Sequence, residues 1–344
     1  MKVQHMNRLE IRDLKTYFFL DEGIVKAVDG VDLTIGDQES IGIIGESGCG
    51  KSVMSQSIMR LVVQPGEIVK GTAQLNRKDG SSVDIFALNP NSSELRSIRG
   101  NEIAMIFQEP MTAFSPVYTI GHQIGEMVAL HTNLDRAQIR EHVVGLLNRV
   151  GISNPSQRYD EYPHQLSGGM RQRAMIAMAL SCSPKIILAD EPTTALDVTI
   201  QAQILELMKD LQREEGMSVV YITHNMAVIA ETVDRVYVMY LGQVVESTTT
   251  QQLFAEPQHP YTQKLLRSIP KPGERVNKLE VISGTVPAPI DLPRQCGFVS
   301  RCPFAKPGLC DKEMPALVEK EAGHFVRCFL YSGETEPEDE WTNI

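Results

Sequence analysis

One stretch restricts the fold of this chain more than any other. Ile41–Gly45 is a short apolar run that enters the glycine-rich loop Gly45-Glu-Ser-Gly-Cys-Gly50-Lys51-Ser52. An apolar run of that length suits a buried strand. The octapeptide fits the pattern G-x-x-x-x-G-K-[ST], and the residues after Ser52 become helical in pattern up to about Val63, where Pro65-Gly66 is expected to stop them. Strand, glycine-rich loop and helix in that order form a cradle for phosphate: the glycines let backbone N–H groups curl inward, and the helix N-terminus adds a favourable dipole. Gly45, Ser47, Gly48, Cys49 and Gly50 are therefore candidate binding residues. Lys51 is expected to reach the β- and γ-phosphates of a nucleotide and the Ser52 hydroxyl to ligate Mg²⁺. A chance glycine-rich turn does not account for both the motif and its flanks.

The elements around the loop fit such a fold. Residues 8–12 and 31–35 alternate apolar and polar as half-buried strands. Asp135–Val150 carries Ile139, Val143, Leu146, Leu147 and Val150 at helical spacing, and residues 168–182 read as a second helix, rich in Ala and Met. Ile186–Ala189 and Val219–Thr223 are buried strands, and Val236–Tyr240 with Gln243–Glu246 reads as a hairpin around Gly242. Strands alternating with helices imply a layered, mostly parallel α/β sheet. From about residue 256 the texture changes: proline becomes frequent, Pro270, Pro272 and Pro293 among others, and periodicity fades. A boundary is expected near 250, with a loop-rich module to 332 and an acidic tail over 333–344.

Ile186-Ile-Leu-Ala-Asp190-Glu191 is an apolar strand ending in two acids. Asp190 is placed to support Mg²⁺ and Glu191, one residue on, to polarise an attacking water. By themselves the two acids could simply start a solvated turn. Leu166-Ser167-Gly168-Gly169-Met170 opens the Ala- and Met-rich helix as a second anion site of the helix-N-terminus type. A plain N-cap at Ser167 is physically adequate for that motif alone. One nucleotide needs one phosphate loop, so the second site makes sense if it meets the nucleotide of another subunit.

Together these motifs resemble the nucleotide-binding subunits of ABC transporters over residues 8–250. The resemblance rests on the phosphate loop 45–52, Gln108, the signature 166–170, the acidic strand 186–191, Ala195-Leu196-Asp197 and His224, in the family's order; Met170 stands where many members have Gln. It implies a P-loop NTPase (RecA-like) cassette with antiparallel β and helical subdomains, the latter about 109–165. It implies that Gln108 touches Mg²⁺ and the attacking water, that His224 contacts the γ-phosphate and orients Glu191, and that Asp197 lies at the dimer seam. The plainer readings are a surface glutamine, a structural histidine and a helix cap. An aromatic ahead of the first long strand stacks on adenine in the family; Phe18 aligns best, Tyr17 is the alternative, and either could be a core residue. In the phosphate loop, a helix N-terminus can lower a thiol's pKa, which makes Cys49 a candidate for oxidation; otherwise it is a small buried residue.

His259-Pro260-Tyr261-Thr262 resembles the segment that follows the cassette in ATPases of dipeptide, oligopeptide and nickel importers, as do Gln108–Pro116 and Asp190–Gln203. With these the resemblance extends to about residue 330. The stretch itself reads as a turn and a core-packing helix. Beyond it, Cys296, Cys302, Cys310 and Cys328 follow the pattern C-x₅-C-x₇-C-x₁₇-C. In a reducing compartment such a cluster points to metal rather than disulfides. Four thiolates can hold zinc or a 4Fe–4S cluster, and the tight knuckle that zinc prefers is absent. Importer ATPases with the same four cysteines carry a 4Fe–4S cluster, so the resemblance implies one here, with zinc and free thiols the alternatives. Its expected role is to staple a module too small to build its own core.

Composition bounds the partners. The formal charge of −10 argues against a non-specific nucleic-acid binder. No apolar stretch approaches the roughly 20 residues of a membrane span, and the N-terminus lacks the apolar block of a signal peptide. The expected place is peripheral, on the cytoplasmic face of the membrane. The resemblance implies ATP as ligand, a second and different ATPase chain, two membrane permease subunits and an extracellular or periplasmic substrate-binding protein. It implies uptake of small peptides, with nickel, oligosaccharides or opine-like compounds as related cargoes. An exporter motor fits the C-terminal module less well. A soluble non-transport ABC ATPase would show two cassettes or a long heptad run, and neither is present. A non-catalytic binding subunit would lack Glu191, Ser167 or His224.

Overall fold

The structure is a computed structural model that describes residues 7–109, 113–194, 196–268, 282, 284–287, 289–333 and 335. Residues 110–112 of the Gln108–Pro116 stretch, Ala195, Pro270, Pro272 and nearly all of the acidic tail lie outside the described residues.

Along the chain, strands β1 (Asn7–Leu20), β2 (Gly23–Gly36) and β3 (Ser40–Ile44) lead to α1 (Lys51–Ile58), β4 (Gly66–Asn76), β5 (Ser82–Asp84), α2 (Ser93–Ile98) and β6 (Ile103–Ile106). Helices α3 (Ile120–His131), α4 (Arg136–Arg149), α5 (Pro155–Tyr159) and α6 (Gly168–Leu180) follow, then β7 (Ile186–Asp190), α7 (Val198–Glu215), β8 (Ser218–Ile222) and α8 (Met226–Thr232). The hairpin β9 (Arg235–Tyr240) and β10 (Gln243–Thr249) precedes α9 (Thr250–Ala255), α10 (Pro260–Arg267), β11 (Val318–Glu321) and β12 (His324–Val326). The residues divide into two units. The first takes Gly36–Ser40 and Leu88–Ile222, and the second takes Asn7–Ile35, Ile41–Ala87 and the described residues from Thr223 onward.

The first unit is built on β6, β7 and β8, paired parallel with Ile103 opposite Ile186 and Ile186 opposite Ser218. Every residue of these strands is buried, which explains their unbroken apolar runs: both faces of a parallel sheet are covered. Helix α7 buries Ile204, Leu205, Met208 and Leu211, one stripe at helical spacing. Helix α4 starts at a capping box, with Asp135 accepting from the N–H groups of Ala137 and Gln138 and Gln138 reaching back to Asp135.

The second unit holds the antiparallel sheet ordered β2-β1-β4-β5 and, separately, strands β3, β9, β10, β12 and β11 as neighbours in that order. Ile41 of β3 pairs parallel with Arg235 of β9, while the β9–β10 hairpin turns at Leu241 and Gly242. β12 pairs antiparallel with β10, Glu246 opposite Val326, so the proline-rich C-terminal segment extends the strand set that begins at β3.

One expectation needs correction. Helix α1 ends at Ile58, not near Val63, and Pro65 is not what stops it. Arg60 turns left-handed at φ 53°, and the N–H groups of Leu61 and Arg60 bond back to Gln56 and Ser57. This is a Schellman closure, which satisfies the last carbonyls before the proline is reached.

Candidate functional site

The phosphate loop lies wholly in the second unit, between β3 and α1. Gly45 and Gly50 are required by backbone geometry. Gly45 has φ 155° and a Cβ there would sit 2.3 Å from the Met239 carbonyl; Gly50 has φ 99° and a Cβ would sit 2.1 Å from that of Ala27. The loop therefore has backbone on both sides and a left-handed residue at the mouth of α1, which leaves N–H groups to face an anion. Ser47 and Gly48 are exposed at its tip. Lys51 is buried, and its Nζ donates to the carbonyls of Gly45 at 2.7 Å and Glu46 at 3.1 Å. Ser52 is half-buried on the first turn of α1.

Cys49 is 1% exposed, and burial pushes its thiol above the ordinary range despite the opposing charge of Lys51. Of the two readings of Cys49 this favours the small buried residue: desolvation outweighs the charge of Lys51. Of the two candidate adenine-stacking aromatics on β1, Tyr17 is fully buried, with its hydroxyl donating to Asp29 at 2.6 Å. Phe18 is half-buried against Gly66, where a Cβ would fall 2.6 Å from its ring. His224 is exposed, directly after Thr223, whose N–H donates to Ile43.

In the first unit β7 ends in Asp190, which is 3% exposed, and the chain then turns sharply at Glu191, a non-glycine residue with φ 46°. Left-handed backbone at a non-glycine residue costs about 1–3 kcal/mol and persists where surrounding structure holds it. Here the Glu191 N–H donates to Ile222 on β8 at 2.8 Å. Its carboxylate accepts from Gln108 Nε2 at 3.0 Å and from the Thr194 hydroxyl at 2.7 Å. The turn is also tied to α6, because Gln172, 1% exposed, donates to the Pro192 carbonyl at 2.6 Å. Gln108, Asp190 and Glu191 are therefore brought together. Thr194 is a partner that sequence reasoning missed, although it lies within the quoted Asp190–Gln203 stretch.

Ser167 and Asp197 both cap helices. Ser167 accepts from the Met170 N–H at 3.3 Å at the start of α6, and Asp197 from the Ile200 N–H at 3.0 Å at the start of α7. Both are exposed, as is Gly168, while Gly169 is half-buried near Ile200.

The C-terminal segment of the second unit is built around Glu246. That fully buried carboxylate accepts from the N–H groups of Gln258 at 2.7 Å and His259 at 2.8 Å, and it pairs with His324 Nε2 at 2.8 Å. His259 caps α10 through Nδ1, and burial lowers its pKa to about 3, so it stays neutral. Tyr261 is fully buried beside Tyr240 and Phe298, and its hydroxyl accepts the Glu46 N–H at 2.8 Å. Arg301 donates through both terminal nitrogens to the Glu46 carboxylate, at 2.7 and 3.0 Å. The sequence holds no signal for Arg301.

Cys296, Cys302, Cys310 and Cys328 line one pocket together with His259, and no disulfide joins them. Burial first, and the neighbouring thiols second, push Cys296 up to about 12 and Cys328 up to about 11. Among the described residues, no group of three or more His, Cys, Asp or Glu is placed to hold a metal ion. No helix of the described residues is long and apolar enough to cross a membrane.

A glycine-built phosphate loop between strand and helix, with a strand-terminal acid pair and a capped signature helix, defines a P-loop nucleotide hydrolase. Residues 28–194 match the ABC transporter family and residues 245–310 the oligopeptide/dipeptide transporter C-terminal region. The oligopeptide transport ATP-binding protein AppD of Bacillus subtilis is 51% identical over 95% of this chain and 97% of its own length. The dipeptide transport ATP-binding protein DppD of Escherichia coli is 44% identical over 94% and 96%. A solved dimeric ATP-binding cassette in a post-hydrolysis state, bound to ADP and Pi, superposes with a TM-score of 0.62 at 27% identity, covering 70% of this chain and 98% of that one. The chain belongs to the ATP-binding subunits of ABC transporters, in the branch that carries the oligopeptide/dipeptide C-terminal region. It is an ATPase subunit with the ABC cassette fold.

Proposed function

We propose that this chain energises the import of small peptides, coupling ATP hydrolysis to membrane subunits from their cytoplasmic face. The observation that carries the reading is the held carboxylate of Glu191, on a strained turn and oriented by Gln108 and Thr194, in a chain with an intact phosphate loop. Phosphoryl transfer to water needs positioning and charge neutralisation rather than covalent chemistry. Lys51 neutralises the β- and γ-phosphates, while the loop N–H groups hold them. Glu191 accepts the proton of the attacking water, Gln108 fixes the carboxylate, and His224 contacts the γ-phosphate. Phe18, half-buried where Tyr17 is fully buried, stacks on adenine.

Ser52, Gln108 and Asp190 supply hydroxyl, amide and carboxylate oxygens, the hard donor set that suits Mg²⁺, and the ion would add positive charge at the phosphates. Ser167, Gly168 and Gly169 face the nucleotide of a second ATPase chain, with Asp197 at the seam, so that ATP closes the pair and hydrolysis releases it. That second chain is of different sequence. Two permease subunits and a substrate-binding protein complete the assembly.

We infer that the four cysteines hold a 4Fe–4S cluster. All four line one pocket with no disulfide joining them, and four cysteine thiolates are the ligand set such a cluster takes. The cluster would supply a cross-link between the segments bearing Cys296, Cys302, Cys310 and Cys328.

The test is reconstitution of the chain with its membrane subunits, second ATPase and binding protein in proteoliposomes. Peptide-stimulated ATP hydrolysis with peptide accumulation is expected. Stimulation by nickel or an oligosaccharide and none by peptides would overturn the cargo, and ATP-driven efflux would overturn the direction.

A further inference from the structure

Glu46, the second residue of the phosphate loop, is gripped at every polar group it has. Its N–H donates to the Tyr261 hydroxyl at 2.8 Å and its carbonyl accepts from Lys51 at 3.1 Å. Its carboxylate takes a two-pronged hydrogen bond from Arg301 at 2.7 and 3.0 Å. Tyr261 and Arg301 lie 215 and 255 residues further along the chain.

The grip is rigid. Arg301 is 7% exposed and also donates to the Tyr240 hydroxyl at 3.2 Å and the Ile282 carbonyl at 3.4 Å. Its guanidinium lies 5.9 Å from the ring centre of Tyr240 and 6.0 Å from that of Phe298. A charge so deeply placed is costly without its partner, and a planar fork matches a carboxylate in one geometry, so Arg301 and Glu46 move as a unit. Tyr261 sits in the same aromatic cluster, its ring centre 4.7 Å from that of Tyr240 and 5.5 Å from that of Phe298.

The consequence falls on the peptide unit between Gly45 and Glu46. Tyr261 fixes its N–H end, and its carbonyl end is one of the two acceptors on which Lys51 rests. Rotation of that peptide would move both the cradle and the lysine. We propose that Tyr261 and Arg301 are positioning residues of the nucleotide site: they hold the Gly45–Glu46 peptide so that the phosphate loop meets nucleotide preformed. This rests on the reading of residues 45–52 as the ATP loop. It gives the C-terminal region a task at the ATP site, in addition to whatever the four cysteines hold.

The test uses the full-length chain, titrated with a non-hydrolysable ATP analogue, together with steady-state KM and kcat and a thermal melt. Tyr261→Phe removes one acceptor and keeps the ring; it should weaken analogue binding and raise KM by about threefold to tenfold, the range for one net hydrogen bond. Arg301→Gln should weaken binding by about tenfold or more, and Arg301→Lys, which keeps the charge without the fork, should recover only part. Glu46→Gln combined with Arg301→Gln should be no weaker than Arg301→Gln alone, as coupled partners require. A lower melting temperature with unchanged affinity and KM would make the contacts structural and overturn the proposal. Should Arg301→Gln fail to fold, Tyr261→Phe decides alone. Wild-type protein that does not bind the analogue would overturn the reading of the loop itself. Wild-type binding that Lys51→Ala abolishes and Tyr261→Phe and Arg301→Gln leave intact would overturn only the positioning role.

Discussion

Gln108 and Glu191, 83 residues apart, share a hydrogen bond of 3.0 Å from Nε2 to Oε2. Thr194 donates to the same oxygen over 2.7 Å. The carboxylate is thus held in one orientation on a turn whose backbone is already strained at φ 46°. Glu191→Gln keeps size and turn but cannot accept a proton. It should bind ATP as the wild type does and lose turnover by a factor of about 10²–10⁴, the usual worth of a general base. Phosphate release measured on the purified variant checks this, and brisk hydrolysis would remove Glu191 as the base.

Lys51 is buried and rests on two loop carbonyls at 2.7 and 3.1 Å, so its charge is poised without an anionic partner among those contacts. Lys51→Ala should weaken nucleotide affinity by about tenfold or more, since a charge-assisted hydrogen bond is worth about 1.5–3 kcal/mol. Isothermal titration with ATP in Mg²⁺ reads the effect. Unchanged affinity would take Lys51 out of the site.

The pocket shared by Cys296, Cys302, Cys310 and Cys328 sets a metal analysis. Protein purified without oxygen should carry about four irons per chain and absorb broadly near about 400 nm, as a four-cysteine 4Fe–4S site does. Cys302→Ser should lower the bound iron. Iron that is unaffected by the substitution would refute the ligand set, and stoichiometric zinc in its place would refute the cluster.

Glu246 satisfies two buried backbone donors and His324 at once. Glu246→Ala leaves those donors without their acceptor, at about 1–3 kcal/mol for each buried group. The denaturant midpoint should fall markedly, and nucleotide-bound protein should lose the same stability. A midpoint within error of the wild type would show that the region reorganises freely.

Cys49 belongs to the phosphate loop, yet burial holds its thiol protonated above the ordinary range. Because the thiolate is the nucleophile, iodoacetamide should modify Cys49 far more slowly than a free peptide thiol at neutral pH. Mass spectrometry of the tryptic peptide follows the rate. Modification at the rate of the free thiol would mean that the loop opens readily.

Much of the cassette was legible because its signals are local. The apolar runs read at Ile41–Gly45, Ile186–Ala189 and Val219–Thr223 fall on strands whose residues are all buried, Ser40–Ile44, Ile186–Asp190 and Ser218–Ile222, and no distant residue is needed to recognise them. The α1 terminus is not legible in the sequence because Pro65 is the visible breaker, whereas the Schellman closure at Arg60 uses a residue with no turn preference. For Cys49 the sequence offers both a helix terminus and burial, and only the packing decides that burial prevails.

What the sequence by itself determined is the chemistry of short segments: a glycine loop that must curl, an acid pair at a strand end, serine and aspartate at helix starts, and four cysteines in one region. These follow from backbone sterics and hydrogen-bonding capacity over a few residues. Only the tertiary structure decided which distant groups share an atom. Arg301 and Tyr261 meet Glu46 across 255 and 215 residues, and Gln108 meets Glu191 across 83. Such pairings are set by where strands pair and aromatic rings pack, and a lone arginine or glutamine carries no local pattern that announces its partner.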